Sequence, residues 1–205
     1  MKKVLLIWVI IFGFGITINA QTAQNNTFDQ GVVINGVKWA TRNVDTPGTF
    51  AANPEDAGMI YQWNCKIAWS ATGSVTGRDS SPANDEWEKS NDPSPVGWRV
   101  PSLYEIYTLC NVSKVSQKWT TVNGINGIKF TDIASGNSIF LPAAGYRYGR
   151  ESTLGNVGSI GYYWNRNSMN NSGGACLLLF NSSGVSNGNY IGDYELWSSI
   201  RSVAE

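Results

Sequence analysis

The 205-residue chain carries 15 basic and 15 acidic residues and no histidine, so its formal net charge is zero. No basic stripe stands out, which makes nucleic acid and anionic membrane surfaces poor partners. The lack of histidine excludes Ser–His and Cys–His nucleophile pairs and HExxH zinc sites. A content of 22 glycines and 9 tryptophans is typical of short strands joined by many turns.

Residues 1–20 have the form of a secretory signal peptide. Two lysines precede an apolar run over residues 4–18, and Ala20 ends a small-residue cleavage site. This predicts an exported protein that lies in the periplasm, on the outer cell surface or outside the cell. After cleavage we expect no stable transmembrane segment, because no second apolar run is long enough. Residues 21–30 then form a flexible leader, and residues 31–205 form one domain.

The first part of this domain is predicted to be a hairpin followed by loops. Asn35-Gly36 between two apolar runs is a strong signal for a two-residue hairpin turn. Proline and glycine interrupt residues 45–58, and residues 59–63 return to an extended aromatic run. Residues 70–95 are rich in acids and prolines. We interpret them as a solvated loop, because they lack the ligand spacing of an EF-hand calcium site.

One amphipathic helix is predicted after Pro101, because apolar residues recur at helical spacing: Leu103, Ile106, Tyr107 and Cys110. Proline suits the first turn of a helix, and Ser102 can cap that turn. Glu105 places a negative charge near the positive end of the helix dipole. These three residues therefore have a structural interpretation.

Three cysteines leave two disulfide states open. Cys110 lies on the apolar face of the predicted helix, and Cys176 lies in an apolar run, so both are predicted to be buried. Together with Cys65 they could form one disulfide and one free thiol. We expect no disulfide.

The rest of the chain is predicted to form short strands, over residues 119–122, 128–131, 138–141, 175–180 and 196–203. One helix followed by several antiparallel strands is the pattern of an α+β domain with segregated elements.

Four motifs follow one another along the domain: INGVKWATRNV at 34–44, DPSPVGWRVPS at 92–102, FLPAAGYR at 140–147 and GYYW at 161–164. Together they resemble the Fibrobacter major paralogous domain family of exported proteins, in its Bacteroides-type form. The resemblance implies a C-type-lectin-like fold related to the formylglycine-generating, sulfatase-modifying branch. It would have short antiparallel strands, one main helix and long loops. In that branch Arg-Leu-Pro-Thr-x-x-Glu opens a helix, and Arg99-Val100-Pro101-Ser102-x-x-Glu105 is similar to it.

The chain also departs from these relatives. The family usually ends on a Gly-Phe-Ser-Val-Arg run, whereas Leu196-Trp197 stands near the end of this chain. Formylglycine-generating activity needs a late cysteine pair, and only Cys176 lies late. Trp164-Asn165 is similar to the Trp-Asn-Asp sugar-site segment of calcium-dependent lectins. Arg166 replaces its acid and cannot coordinate calcium.

The expected function is that of a non-catalytic surface or extracellular lectin-like domain, which binds a glycan or a surface protein through its late loops. Aromatic and amide side chains there suit sugar binding by stacking and hydrogen bonding. For Trp164 the alternative is a place in the core. We expect no metal ligands and no cofactor, with a structural calcium held by backbone carbonyls left open. The candidate ligand-binding residues are Tyr146, Tyr148, Tyr162, Trp164, Asn165 and Tyr190.

Two other functions stay open at this point. One is a structural or adhesin-associated surface protein with no small-molecule ligand. The other is a glycoside hydrolase, which needs only two suitably separated carboxylates. Its candidate acids are Asp56, Glu105, Glu151, Asp193 and Glu195.

Overall fold

The computed structural model describes residues 27–72, 86–149, 153–169, 174–186, 188 and 190–205. The predicted signal peptide, most of the predicted leader and half of the acidic loop lie outside these residues. Within these ranges, no helix has both the length and the apolar character that crossing a bilayer requires.

Strands dominate the described part of the chain, which has sixteen of them. It has one α-helix, α1 (Leu103–Cys110), and one 3-10 turn (Lys89–Asn91). The strands before the helix are β1 (Val32–Ile34), β2 (Val37–Trp39), β3 (Met59–Gln62), β4 (Trp69–Ser70) and β5 (Trp98–Arg99). The strands after it are β6 (Val115–Val122), β7 (Ile125–Asp132), β8 (Ser138–Pro142), β9 (Tyr146–Tyr148), β10 (Thr153–Gly155), β11 (Ile160–Met169), β12 (Gly174–Asn181), β13 (Gly184–Val185), β14 (Tyr190–Asp193), β15 (Leu196–Ser198) and β16 (Val203–Ala204).

The predicted α+β, C-type-lectin-like class is wrong. The protein is β-rich, with 47% of its described residues in strands and 7% in helices. A single main helix was expected and is present, but it has only eight residues and forms no layer of its own. Several antiparallel sheets enclose the core instead.

The strands pair into four sheets, and every pair of named strands is antiparallel. Their orders are β1-β2-β16-β5, β10-β9-β15-β3-β4, β11-β12-β13 with β14 also on β12, and β6-β7-β8. In the first sheet Val203 pairs with both Trp39 and Arg99, so strands from distant parts of the chain are joined there.

The predicted strand over residues 196–203 is two strands in different sheets. β15 pairs with β3 and β9, whereas β16 pairs with β2 and β5. Between them Ser199 forms an isolated parallel bridge with Tyr163. The alternating pattern predicted one strand, but the chain changes sheets after Ser198 to reach its second set of partners.

Asn-Gly turns close two hairpins. Asn35 and Gly36 have φ of 44° and 82° and join β1 to β2, which confirms the predicted hairpin. Asn123 and Gly124 have φ of 48° and 84° and join β6 to β7. Positive φ at both central positions is typical of the type I′ turn. The second hairpin was predicted with a connection over residues 123–127, so its strands are longer than expected.

Strand β11 separates two hydrophobic cores. Tyr162 and Trp164 pack with Leu177 in one core, whereas Tyr163 packs with Phe180 in the other, their rings stacked 5.7 Å apart. Successive side chains of a strand point to opposite faces, and a strand covered on both faces is continuously apolar. The aromatic triplet therefore serves both cores.

Helix α1 begins as the sequence predicts. The Ser102 hydroxyl accepts from the backbone N–H of Glu105 at 3.3 Å, and the Glu105 carboxylate accepts from the backbone N–H of Ser102 at 2.7 Å. This is a reciprocal capping box. The same carboxylate receives two hydrogen bonds from Arg99, at 2.7 and 2.8 Å. The ion pair fixes the helix to β5.

None of the three cysteines forms a disulfide. Cys110 and Cys176 are buried, which confirms the prediction, whereas Cys65 is half-buried.

Candidate ligand-binding site

Three of the predicted ligand-binding residues are buried: Tyr162, Trp164 and Asn165. Trp164 is fully buried, and its indole N–H donates to the backbone oxygen of Tyr61 at 2.8 Å. Asn165 is also fully buried; its side chain donates to the oxygen of Gly188 and accepts from the N–H of Asn167. These bonds give Trp164 and Asn165 a structural role, and neither presents a surface to solvent.

The other three predicted residues are tyrosines near Tyr162: Tyr146 is half-buried against the same core, whereas Tyr148 and Tyr190 are exposed. Tyr146 meets Tyr162 edge to face, with ring centres 5.0 Å apart. Burial raises the pKa of Tyr162, a hydrogen bond from Asn156 opposes this, and the nearby hydroxyls of Tyr146 and Tyr190 raise it further. The rings of Tyr146 on β9 and Tyr162 on β11 are therefore in direct contact.

The remaining member, Tyr148, is tied to this group through Asp193. Its hydroxyl donates to the Asp193 carboxylate at 3.3 Å, and the charge of that carboxylate raises the pKa of Tyr148. Asp193 lies on β14, the strand that also carries Tyr190. Tyr148 is 49% exposed and Tyr190 is 48% exposed, so both rings are open to a ligand. We call Tyr146, Tyr148, Tyr162, Tyr190 and Asp193 the tyrosine patch.

Sheet pairing holds the patch in place. Tyr148 lies opposite Leu196 of β15, and Tyr190 lies opposite Leu177 of β12. The ring of Tyr146 covers Gly155, where a Cβ atom would come within 2.9 Å of it. Backbone ladders thus place the tyrosines on strands, which hold side chains more rigidly than loops do.

A cavity that sequence reasoning did not find lies beside the patch. Its volume is about 640 Å³, and the segment 155–158 connects it to the patch, since Val157 and Gly158 line it. Three carboxylates also line it: Asp45, Glu55 and Asp56. Its wall is largely apolar and includes six alanines, after which we call it the alanine cavity: Ala51, Ala52, Ala57, Ala71, Ala143 and Ala144.

Backbone and side-chain hydrogen bonds join the segments beneath the alanine cavity. The N–H of Ala143 donates to the oxygen of Asn126, and the N–H of Gly158 donates to the oxygen of Ala143, each at 2.8 Å. The Asn126 side chain donates to the oxygen of Gly158 at 3.0 Å. This side of the cavity is therefore preformed. The alanines that lie close to acids in the sequence were a signal for this cavity. They could not predict it, because the lining comes from five segments that are distant along the chain.

A second groove, of about 540 Å³, is lined by Trp98 and four basic residues. Three of its cations are already paired: Arg99 with Glu105, Arg166 with Glu86 and Lys89 with Glu205. Its positive charge is thus largely neutralised, which makes it a weaker candidate site.

The acids considered for glycoside hydrolysis lie on different elements. Glu105 is bound to Arg99 at the start of the helix, and Asp56 lines the alanine cavity. Asp193 and Glu195 share one turn, where the N–H of Glu195 donates to the Asp193 carboxylate. Glu151 lies outside the described residues. Among the residues that the structure describes, no three His, Cys, Asp or Glu side chains form a group that could hold a metal ion.

The chain has been compared with protein families, with curated proteins and with solved structures, and nothing matches it in any of the three comparisons.

Proposed function

We propose that this is an exported, non-catalytic domain that binds carbohydrate at the tyrosine patch. The observation that carries the proposal is the pair of half-exposed rings of Tyr148 and Tyr190. The Tyr148 hydroxyl is hydrogen-bonded to the Asp193 carboxylate, on the strand that carries Tyr190. Tyrosine offers a large rigid apolar face with a polar end at low entropic cost. Sugars present C–H faces and hydroxyls, which match those two features.

The patch chemistry favours a neutral glycan. The Asp193 carboxylate can accept hydrogen bonds from sugar hydroxyls, and its negative charge disfavours acidic sugars. The Tyr148 hydroxyl already donates to that carboxylate, which fixes the ring. A ligand would therefore meet an ordered surface and lose little free energy in ordering it.

The signal-like residues 1–20 support export. The four sequence motifs support membership of the Fibrobacter major paralogous domain family. Both are part of the proposal. The fold that the resemblance implied is not carried over.

The direct test is affinity electrophoresis of the purified protein in gels that contain neutral or acidic polysaccharides. We expect slower migration in gels with at least one neutral polysaccharide, relative to a gel without polysaccharide. Equal migration in every gel would contradict the proposal.

A second candidate, binding of a surface protein, is favoured by exposed apolar side chains beside the patch. Ile191, which follows Tyr190 in β14, is 43% exposed, and Val157 is 58% exposed. Each offers an apolar side chain to a protein partner. Capture of a cell-surface protein by the wild-type chain, lost on Ile191→Asp without loss of polysaccharide binding, would support this second function.

A further inference from the structure

The alanine cavity combines an apolar wall with an excess of negative charge. Its volume of about 640 Å³ falls in the range typical of small-molecule sites. Alanine and glycine make up much of the wall, so small side chains leave the space open. Among the described residues that line it, three are acidic and none is Lys or Arg.

The three carboxylates keep unused acceptor capacity. One Asp56 oxygen accepts from the N–H and side chain of Asn53, and Glu55 accepts from the side chain of Asn123 at 2.5 Å. These donors are neutral amides. Within the described ranges, none of the three carboxylates forms an ion pair, in contrast to Asp29, Glu105 and Glu205 elsewhere.

Partial burial strengthens the electrostatic field of these three acids. Asp45, Glu55 and Asp56 are each half-buried, so water screens them less than it screens exposed acids. Like charges around one cavity repel each other, and a bound cation would relieve that repulsion. An anionic ligand would add to it, and a neutral ligand would leave it unchanged.

We propose that the alanine cavity binds a primary ammonium group carried on a short hydrocarbon body. The ammonium group would pair with one of the three carboxylates within the field of the other two, and the hydrocarbon would contact the alanine wall. The combination uses both features of the cavity, since a bare metal ion would leave the apolar wall unused. This site is separate from the tyrosine patch, and the proposal does not depend on carbohydrate binding.

The test compares three probes of similar size on the purified protein: hexylamine, hexan-1-ol and hexanoate. Isothermal titration at neutral pH should give saturable binding of hexylamine. Both other probes should bind at least about tenfold more weakly, because each lacks the attraction to the carboxylates. In NMR spectra the methyl signals of Ala143 and Ala144 should shift on addition of the amine.

Substitutions that remove one charge each then test whether the carboxylates of the alanine cavity cause the preference for the amine. Glu55→Gln and Asp56→Asn keep an acceptor for the local amides, and each should weaken hexylamine binding by about threefold to tenfold. Glu205→Gln removes the same charge in the second groove and should leave the affinity unchanged. Circular dichroism of each variant verifies that it is folded.

Three results would overturn the proposal. They are the absence of saturable hexylamine binding, equal binding of hexan-1-ol, and equal loss of affinity in Glu205→Gln. Polysaccharide binding is measured separately in the gel assay, so failure of either proposal can be told from failure of the other.

Discussion

The guanidinium of Arg201 donates through Nε to the side-chain oxygen of Asn43 at 2.9 Å. Its two other nitrogens donate to the backbone oxygens of Thr41 and Phe140, at 2.8 and 3.0 Å. Arg201 is fully buried, and that burial lowers its pKa to about 10. One buried cation therefore connects an early, a middle and a late segment of the chain, and its bonds to carbonyl oxygens satisfy its donors.

Substitution of Asn43 by alanine should destabilise the protein. It removes the acceptor of Arg201 Nε and also the donor to the Tyr163 hydroxyl. Unsatisfied buried groups of this kind cost about 1–3 kcal/mol, which we expect as the loss in free energy of unfolding by urea. The exposed Asn137 serves as a control, and Asn137→Ala should change stability by less than about 0.5 kcal/mol. Equal losses in the two variants would refute this account of Arg201.

Glu105 should make stability depend on pH. Burial alone would raise its pKa, but hydrogen bonds from Arg99 and Ser102 outweigh burial, and the pKa lies below its usual value. A carboxylate with a lowered pKa stabilises the folded state above its unfolded pKa, and this stabilisation is lost as pH falls through the folded pKa. Glu105→Gln should therefore lower the free energy of unfolding by about 1–2 kcal/mol at pH 7. The difference should shrink as pH falls below about 4.3.

The control for Glu105 is the exposed pair of Lys89 and Glu205, which are 2.9 Å apart. Glu205→Gln should cost less than about 0.5 kcal/mol, since exposed ion pairs contribute little. A pH-independent difference between wild type and Glu105→Gln would contradict the role given to the ionised carboxylate.

The three thiols should differ in reactivity. Burial raises the pKa of Cys110 to about 12 and also raises that of Cys176, so neither forms a thiolate readily at pH 8. Cys65 is half-buried and should be the single fast-reacting thiol toward Ellman's reagent. All three should react after unfolding. Fast labelling of native Cys65→Ser would show that one of the two buried positions opens.

Any side chain at Gly161 should destabilise the protein. It lies opposite Phe180 in the pairing of β11 with β12, and a Cβ atom there would come within 2.1 Å of the phenylalanine ring. Gly161→Ala should cost about 1–3 kcal/mol through overpacking. The double variant Gly161→Ala/Phe180→Leu should be more stable than the sum of the two single changes predicts. Strict additivity would mean that the ring is not the obstacle.

Local signals in the sequence predicted local structure well. Asn35-Gly36 carries its own turn preference, and Ser102 with Glu105 carries a complete helix start, so neither depends on distant residues. The helix face was predicted less well. Ile106 and Cys110 are buried as expected, but Tyr107, placed on the same face, is 42% exposed.

Non-local arrangement was not predicted. An aromatic run such as Tyr162-Tyr163-Trp164 has the same composition whether it forms a binding surface or a strand buried on both faces. The position of β11 between two cores decides this, and both Tyr162 and Trp164 are buried there. The alanine cavity likewise depends on five segments that meet only in the folded chain.

The most direct measurement for the proposed function is the affinity of single tyrosine variants for the neutral polysaccharide that retards the wild-type protein. Tyr148→Ala and Tyr190→Ala should each weaken binding by about tenfold or more, since each removes an exposed ring of the patch. Tyr104, which is 75% exposed on helix α1 and lies outside the patch, is the matched control, and Tyr104→Ala should bind as wild type does. Unchanged affinity in both patch variants, or an equal loss in Tyr104→Ala, would contradict carbohydrate binding at the tyrosine patch.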